Sequence, residues 1–433
     1  MRLVVVTFLF VAVGQAPALT LDAALARVLE KNPAILEAHA GLEQAAGRRV
    51  ILRAASLPDA RIQIPTGVQG GQRAGEKDVQ PFAFAQAFLT QPLFHAGIPA
   101  GYRRGNIEVL IARQRLNLAV MEQLHTARIA FHTATYQNSL RVLGEAQRER
   151  LSGNAQAQAD RYQAGQTNRG AVTVARLLEQ ELHPRIEEAR RVSKGALLTL
   201  ARTMGDDLGP AARLPTAEAS LEFTRVDLDL ETHRAAALER RADLQIARLL
   251  VRLAEEDQRM IEAAYYPAIH ATLSGDYIPV SEIRRGSEGS ARRSDDIISS
   301  EARGGAAYTW RVIDNGKVRG AATRQRAVRE INELVLVRLE AAVPRELTRI
   351  QNNLRALAAR QQALERAGGV AEQTVSDVLN NLSEGLSSQL EYRTAENSFL
   401  QTKAGILAVA FEQQLALAEL DRVTGRYFRF SGD

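Results

Sequence analysis

The chain has 433 residues and a formal net charge of +5, which is small against its 55 basic and 50 acidic residues, so its charge does not indicate a nucleic-acid partner. It contains no cysteine, which excludes disulfide bonds, thiolate metal sites, cysteine nucleophiles and lipidation of an N-terminal cysteine. Aromatic residues make up only 5%, and alanine and leucine are abundant. This composition is typical of long packed helices, in which small side chains let backbones approach closely.

The first residues indicate a targeting segment. One basic residue precedes an apolar run from Leu3 to Val13, and Ala16-Pro17-Ala18 has small residues where a signal peptidase cuts. Because the apolar run is too short to span a bilayer, we predict that residues 1–18 are a cleavable signal peptide and that the protein is exported. The alternative is that this segment is a buried first helix.

The rest of the sequence occurs twice. Leu21–Ile64 aligns to Leu230–Leu273 without a gap, and the correspondence continues at a larger offset further along. Corresponding pairs include Pro58 and Pro267, Gly97 and Gly316, and Gly165 and Gly385. A repeat of this length predicts two copies of one structural unit, which we place at residues 19–218 and 219–433. It also disfavours an enzyme, whose site usually lies in one unique place.

Each copy begins with two helices and continues with two strands. In the first copy, Leu21–Lys31 is predicted as a helix capped by Thr20, and Asn32-Pro33 starts a second helix that runs to about Leu57. The hydrophobic period then changes to two, which indicates strands. The predicted strands are residues 59–64 and 81–92 in the first copy and 267–278 and 303–313 in the second. Gly67 to Gly75 and Ser281 to Ser300 are predicted as exposed loops.

A long helix and a return helix complete each copy. Narrow apolar stripes of three/four spacing predict coiled-coil helices over residues 98–163 and 316–382. Turns at Gly165 and Gly385 lead into return helices, predicted at residues 170–204 and 388–423. At the helical rise the long helix extends roughly 100 Å, which nearly equals the return helix and the helix after Pro33 together. Pro184 and Pro344 are predicted to kink the helices that contain them.

The strands predict a membrane barrel shared between chains. Ile269, Ala271 and Leu273 alternate with His270, Thr272 and Ser274, and a strand of this length with one apolar face suits an outer-membrane barrel. Four strands cannot close a barrel, and an open edge in lipid leaves backbone groups unpaired. Two chains would supply too few strands for an open lumen, whereas three chains supply twelve. The alternative is a small soluble sheet that caps a periplasmic coiled coil.

These features resemble the TolC-like outer-membrane efflux protein family. The resemblance covers Leu19 to about Phe428 and rests on the duplicated order of helix, helix, strand, strand, long helix, turn and helix. Three motifs support it: Asn32-Pro33 after Ala23-Ala24-Leu25, Gln91-Pro92-Leu93-Phe94 before Gly97, and Arg161-Tyr162-Gln163-Ala164-Gly165 before Ala175. No motif is specific alone, so the match depends on their order and double occurrence.

The resemblance implies a fold and a function. The expected fold is mainly α with a β-barrel part: a homotrimer whose twelve-stranded barrel lies in the outer membrane and continues as an α-helical tunnel into the periplasm. The expected function is the passive exit duct of a tripartite efflux pump or a type I secretion system, with no cofactor and no catalysis. A periplasmic adaptor protein and an inner-membrane transporter are the implied partners, with outer-membrane lipid around the barrel.

The resemblance also points to an acidic residue after the second turn. Family members often carry an Asp-Val-Leu-like segment there, whose acids line the closed entrance. The first copy departs from this pattern and has Ala171, whereas the second has Glu391. We hypothesise that three Glu391 side chains surround the channel entrance and favour cations. The alternative is an ordinary solvated helix charge, with Arg393 and Arg360 as its neighbours.

Other candidate sites are weaker. His125 and His132 lie seven residues apart on one helix face, but neither has an acidic residue at ligand spacing, so we interpret them as surface or seam histidines rather than metal ligands. The sequence has no zinc-protease, nucleophile-elbow or phosphate-loop motif. Besides the exit duct, a soluble periplasmic scaffold or adaptor stays open. Adaptors usually contain one helical hairpin per chain, whereas this chain has two.

Overall fold

The computed structural model describes residues 19–70, 79–206, 220–277 and 300–426, and it is mainly helical. The predicted signal peptide 1–18, most of the loops predicted at 67–75 and 281–300, and the end of the resemblance at Phe428 lie outside these ranges. Across the described residues, no helix combines the length and the hydropathy needed to cross a membrane.

The helices follow the predicted order. Their bounds are α1 Leu21–Lys31, α2 Pro33–Ala54, α3 Ile98–Gln163, α4 Arg169–Glu181, α5 His183–Thr203, α6 Leu230–Arg240, α7 Ala242–Glu262, α8 Lys317–Glu384 and α9 Gln389–Thr424. The long helix α3 has the predicted bounds, and α8 differs by two residues at its end. Helix α2 stops three residues before the predicted Leu57. The N–H groups of Ser56 and Leu57 donate to the carbonyls three residues earlier, those of Arg53 and Ala54, and not four residues earlier as in an α-helix.

The first return helix is not continuous, which corrects the prediction of one helix over residues 170–204. It divides into α4 and α5 at Leu182, and Pro184 occupies the first turn of α5. Proline has no N–H to donate to the preceding turn and its ring crowds that turn, so the helix restarts there. The second return helix, α9, has no such break, and Pro344 lies within the continuous helix α8.

The first copy contains four strands rather than two. The strands are β1 Asp59–Gln63, β2 Thr66–Gly70, β3 Val79–Ala83, β4 Ala85–Phe94, β5 Ala268–Tyr277 and β6 Ser300–Thr309. Pro65 separates β1 from β2. Proline has no N–H to donate, but the Pro65 carbonyl accepts a hydrogen bond from the Phe84 N–H at 3.3 Å. Gly67 to Gly70, predicted as loop, therefore belongs to β2. Strand β6 starts before the predicted residue 303 and ends before the predicted residue 313.

The strands form an antiparallel four-stranded sheet in the order β1-β4-β5-β6, with β2 and β3 paired as a separate ribbon. Residues directly opposite one another share a face. Ile62, Leu89, Leu273 and Tyr308 fall on one face, and the opposite face carries Asp59, Arg61, Gln86, Thr90, Thr272, Ser274, Asp276, Glu301 and Arg303. On the apolar face Ile62 is 76% exposed, Leu273 51% and Tyr308 62%. The sheet is thus amphipathic, and the described part of the chain leaves its apolar face uncovered.

The chain divides into two compact units. One comprises the described residues within Met1–His39, Gln114–Gln245 and Arg338–Asp433, and the other comprises those within Ala40–Arg113 and Ile246–Val337. The first unit contains a core in which α1, the middle of α3 and the end of α5 pack around Leu124, Phe131 and Leu200. The second unit contains the sheet. Because each unit draws on both copies, the repeat is a structural period and not a division into domains.

Tertiary contacts repeat the duplication. Gly205 has a φ of 73° and lies so close to Lys31 that an added Cβ would stand 2.3 Å from the Lys31 carbonyl oxygen. Its counterpart Gly425 has a φ of 65°, and an added Cβ would stand 3.1 Å from the Arg240 carbonyl oxygen. Arg240 is the counterpart of Lys31. In both copies the helix after the turn therefore ends in a left-handed glycine packed against the first helix.

Asn32 follows the end of α1, caps α2 and bonds to α5. Its contacts generate a prediction about stability. Its Oδ1 accepts from the Ala34 and Ile35 N–H groups, and its Nδ2 donates to the Thr203 carbonyl at 2.6 Å. The side chain is 3% exposed. We expect Asn32→Ala to lower the free energy of unfolding by about 2 kcal/mol, because it removes a helix cap and leaves buried groups unpaired.

Denaturant unfolding of the purified protein checks this prediction. Thr20→Ala is the matched control, because the exposed Thr20 caps α1 through one bond to the Ala23 N–H. The control is expected to cost about 1 kcal/mol or less. Equal losses in the two variants would contradict the role assigned to Asn32.

Candidate functional site: the two helix-hairpin turns

The turns predicted at Gly165 and Gly385 have the same backbone geometry. Gly165 has a φ of 71° and Gly385 a φ of 79°, a conformation that costs little only for glycine. In each turn the next residue donates its N–H to the carbonyl five residues earlier: Gln166 to Arg161 at 2.8 Å and Leu386 to Asn381 at 2.8 Å. These bonds satisfy the last carbonyls of α3 and α8, so each long helix ends in a tight turn.

The helices that leave the turns are capped differently. In the first turn Asn168 caps α4, with its Oδ1 accepting from the Ala171 N–H at 2.9 Å. In the second turn Ser388 accepts from the Glu391 N–H at 3.2 Å, and the Glu391 carboxylate accepts from the Ser388 N–H at 2.8 Å. This reciprocal pair is a capping box. Glu391 therefore has a local structural role that its counterpart Ala171 cannot have.

The Glu391 carboxylate is exposed, and the arginines considered as its neighbours bind elsewhere. Arg393 pairs with Glu181 at 3.2 Å, and Arg360 pairs with Glu412 at 3.4 Å. One negative charge thus remains at the start of α9, where it also interacts favourably with the positive end of the helix dipole.

Arg161 connects the two turns. Its guanidinium lies in the last turn of α3 and donates to the carbonyls of Leu382 and Ser383 at the end of α8. These are carbonyls that a helix terminus leaves without intrahelical partners, and they lie at the negative end of the α8 dipole. In the second copy Asn381 occupies the position of Arg161. The arginine bond therefore runs from the first hairpin to the second and has no counterpart in the opposite direction.

Above the turns, a buried polar cluster joins α3 to α9. Glu396 is 2% exposed, and its carboxylate accepts from Gln147 at 3.0 Å, from Tyr392 at 3.1 Å and from Arg150 at 3.3 Å. Three side chains thus donate to the buried carboxylate, whose charge is tolerable because it is paired with Arg150 and hydrogen-bonded. Phe399 covers the cluster, with the Arg150 guanidinium 5.2 Å from its ring centre.

Tyr392 is almost fully excluded from solvent. Burial, reinforced by the negative charge of Glu396, raises the pKa of the Tyr392 hydroxyl, which is therefore held as a hydrogen-bond donor. A groove of about 410 Å³ opens beside Tyr392 and Glu396 and extends to Arg161. The sequence did not reveal this cluster: Tyr392 stood beside the highlighted Glu391, but only the packing of α3 against α9 brings Gln147 and Arg150 to Glu396.

The two histidines lie on α3 without a metal site. His125 is 3.6 Å from the Glu419 carboxylate, an acidic neighbour that the sequence spacing did not indicate. Burial lowers the pKa of His125, and burial together with the positive charge of Arg128 lowers the pKa of His132 to about 4. In the described part of the chain, no group of three histidine or acidic side chains is placed to hold a metal ion.

Glu391 offers a way to separate capping from charge. We expect Glu391→Ala to destabilise the protein by about 1 kcal/mol, because the Ser388 N–H loses its acceptor. Glu391→Gln keeps an oxygen acceptor and removes the charge, so its stability is expected to stay within about 0.5 kcal/mol of the parent. Denaturant unfolding of both variants measures the difference. Equal losses would mean that the charge, and not the capping bond, stabilises the turn.

The lowered pKa of His132 predicts a loss of stability in acid. Below the usual pKa of about 6.5 the unfolded chain binds a proton that the folded chain does not, so stability falls as the pH drops from about 6.5 toward 4. We expect His132→Gln to remove about 2 kcal/mol of the loss between pH 7 and pH 5. His39→Gln, at an exposed position, provides the matched substitution of a second histidine. A parallel profile for His132→Gln and the parent would contradict the assignment.

No protein-family model and no curated protein sequence matches this chain. Several solved structures match it over nearly its whole length. The outer-membrane protein VceC of Vibrio cholerae superposes with a TM-score of 0.77 at 17% identity, covering 94% of this chain and 96% of its own. CusC superposes with a TM-score of 0.78 at 14% identity, covering 96% of this chain and 95% of its own.

The CmeC outer-membrane channel of Campylobacter jejuni has a TM-score of 0.80 at 13% identity, with 95% of this chain and 87% of its own covered. At identities this low, the superpositions establish similarity of fold alone. The order of elements, the duplication and the two glycine turns agree with that result. The resemblance found in the sequence is confirmed at the level of structure: the chain has the fold of the TolC-like outer-membrane efflux proteins.

Proposed function

We propose that the protein is an outer-membrane channel that acts as the passive exit duct of a tripartite efflux pump or a type I secretion system. Three copies would share one twelve-stranded barrel, and their long helices would form a tunnel in the periplasm. The observation that carries the proposal is the sheet β1-β4-β5-β6, which combines an uncovered apolar face with two unpaired edges.

The apolar face favours lipid as its surroundings. Ile62, Leu273 and Tyr308 are each more than half exposed and lie on the same side, whereas the other side carries charged and hydroxyl groups. A barrel in the outer membrane needs this arrangement, apolar outward and polar toward a water-filled lumen. A soluble scaffold would instead leave a contiguous apolar surface in water, which folded proteins rarely do.

The edges favour several chains in one barrel. Among the described residues, no strand pairs with the outer edge of β1 or of β6. An unpaired backbone group costs several kcal/mol in hydrocarbon, so the edges must be paired by other copies if the sheet lies in lipid. Three copies are the smallest number that leaves an open lumen.

The structural neighbours support the same function. VceC is an outer-membrane protein, CmeC an outer-membrane channel, and the study of CusC concerns transmembrane channel formation. By analogy, we infer that a periplasmic adaptor and an inner-membrane transporter join this chain, that no cofactor is needed and that the duct does no chemistry. The turns at Gly165 and Gly385, with Glu391, are the proposed channel entrance. The transported substrate would be selected by the partners.

Cell fractionation tests the proposal. We expect the protein to sediment with the outer membrane after a urea wash and to migrate as a trimer that boiling converts to monomer, because the barrel strands pair between copies. Release into the soluble periplasmic fraction would overturn the proposal and favour the scaffold.

A second measurement in the same preparation tests which face contacts lipid. Trp310 is the only tryptophan, so Trp310→Phe provides a background without indole fluorescence. In that background we compare Tyr308→Trp, on the apolar face, with Thr309→Trp, on the polar face. Brominated acyl chains are expected to quench the Tyr308→Trp variant and aqueous iodide the Thr309→Trp variant. Quenching of both by iodide alone would contradict a lipid-facing sheet.

A further inference from the structure

The two strand hairpins have one register. Corresponding residues of the first strands differ by 209 positions, as Leu21 does from Leu230, and those of the second strands by 219, as Gly97 does from Gly316. Ile62 lies opposite Ala87, and their counterparts Ala271 and Ala306 are also opposite each other. The hairpins are therefore structurally equivalent residue by residue, not merely similar in sequence.

The sheet also shows how one hairpin joins the next. Strand β4, the second strand of the first hairpin, pairs with β5, the first strand of the second hairpin. In this junction Thr90 lies opposite Thr272 and Leu89 opposite Leu273. The edges left over are the first strand of the first hairpin and the second strand of the second. They are therefore the counterparts of the two strands that meet at the junction.

We propose that β6 of one copy pairs with β1 and β2 of a second copy in the register of the β4–β5 junction, which places Thr309 opposite Gln63 of the second copy. The inference rests on the proposed function, because it assumes that copies share one sheet. Shifting the junction by the two offsets pairs residues 304–313 with residues 60–68 of the second copy. Tyr308 then meets Ile64, and Trp310 meets Ile62.

The proposed register keeps the two faces of the sheet intact. Tyr308 and Ile62 both belong to the apolar face, and Thr309 and Gln63 both belong to the polar face. A slip of one residue would place every apolar side chain of the second copy on the polar side. The register therefore continues the amphipathic pattern across the boundary between copies.

The register also explains why β6 ends at Thr309. Its counterpart β4 continues through Gln91 to Phe94, beyond the residue opposite the start of β1 at Asp59, because β5 pairs with those residues. Residues 310–313 are the counterparts of that segment, and no strand of the described residues pairs with them. Val312 and Ile313 are 74% and 80% exposed. We infer that residues 310–313 extend β6 when they pair with residues 60–62 of the second copy.

One pair in the register places Arg311 opposite Arg61 of the second copy. Like charges opposite each other are unfavourable, but Arg61 turns toward its own β4, where its guanidinium lies 5.2 Å from the ring centre of Phe88. The two charges also lie on the polar face, where water in a lumen screens them.

Cysteine cross-linking in intact membranes tests the register, because the chain has no cysteine of its own. The in-register variant combines Gln63→Cys with Thr309→Cys. Within one chain β4 and β5 separate these positions by roughly 14 Å across the sheet. Gln63 is level with Glu301, so Thr309 also lies roughly 27 Å further along the strands, and a disulfide within one chain is excluded. The matched control combines Arg61→Cys with Thr309→Cys, on the same face but two residues out of register.

We expect mild oxidation to link the in-register variant into a ladder that ends at three copies and collapses with reductant. Its yield is expected to be about tenfold above that of the control, because only opposed residues meet the geometric limits of a disulfide. Thr309→Cys alone is expected to stay monomeric under denaturing conditions. Dimers of that single variant would show that β6 pairs with itself and would overturn the proposal.

The outcomes separate the register from the function. Efficient linking of the control pair, or no linking in a protein that still migrates as a boiling-sensitive trimer in the outer membrane, would overturn the register and leave the exit duct intact. A monomer in the periplasmic fraction would overturn both.

Discussion

Among the described residues no strand pairs with the outer edges of β1 and β6, and this constrains the protein more than any other feature. Each strand presents N–H and C=O groups that water could satisfy but hydrocarbon cannot. The apolar face of the same sheet is unsuited to water. A single chain cannot meet both conditions, whereas a closed sheet shared by several copies meets them at once. In the proposed channel, oligomerisation follows from the requirement to satisfy hydrogen bonds and not from an additional interface.

Because of the duplication, a closed sheet needs few different strand contacts. In the proposed register one hairpin and one mode of joining hairpins suffice, because the contact between copies repeats the β4–β5 contact within the chain. The same repetition appears among the helices, where Gly205 and Gly425 pack against corresponding carbonyls. The proposed register also assigns Trp310 to Ile313, which are irregular in one chain, to a strand of the assembly.

The copies diverge where the helix hairpins end. Ser388 and Glu391 form a reciprocal cap in the second turn, while Asn168 alone caps the first. Arg161 and the Glu396 cluster tie α3 to the second hairpin through buried or terminal polar groups. Such contacts are sensitive to geometry, since a small displacement leaves a buried charge without partners. The two hairpins thus share a backbone plan but differ in the polar bonds that hold them.

The sequence by itself determined the repeat, the order of the elements and, to within two residues, the bounds of α3, α8 and α9, because helical periodicity, caps and glycine turns are local properties. It also located the turns at Gly165 and Gly385. Tertiary structure alone decided what depends on partners distant in the chain. The bend at Pro65, the end of β6 at Thr309 and the meeting of Gln147 with Glu396 are set by strands or helices that the local pattern does not contain.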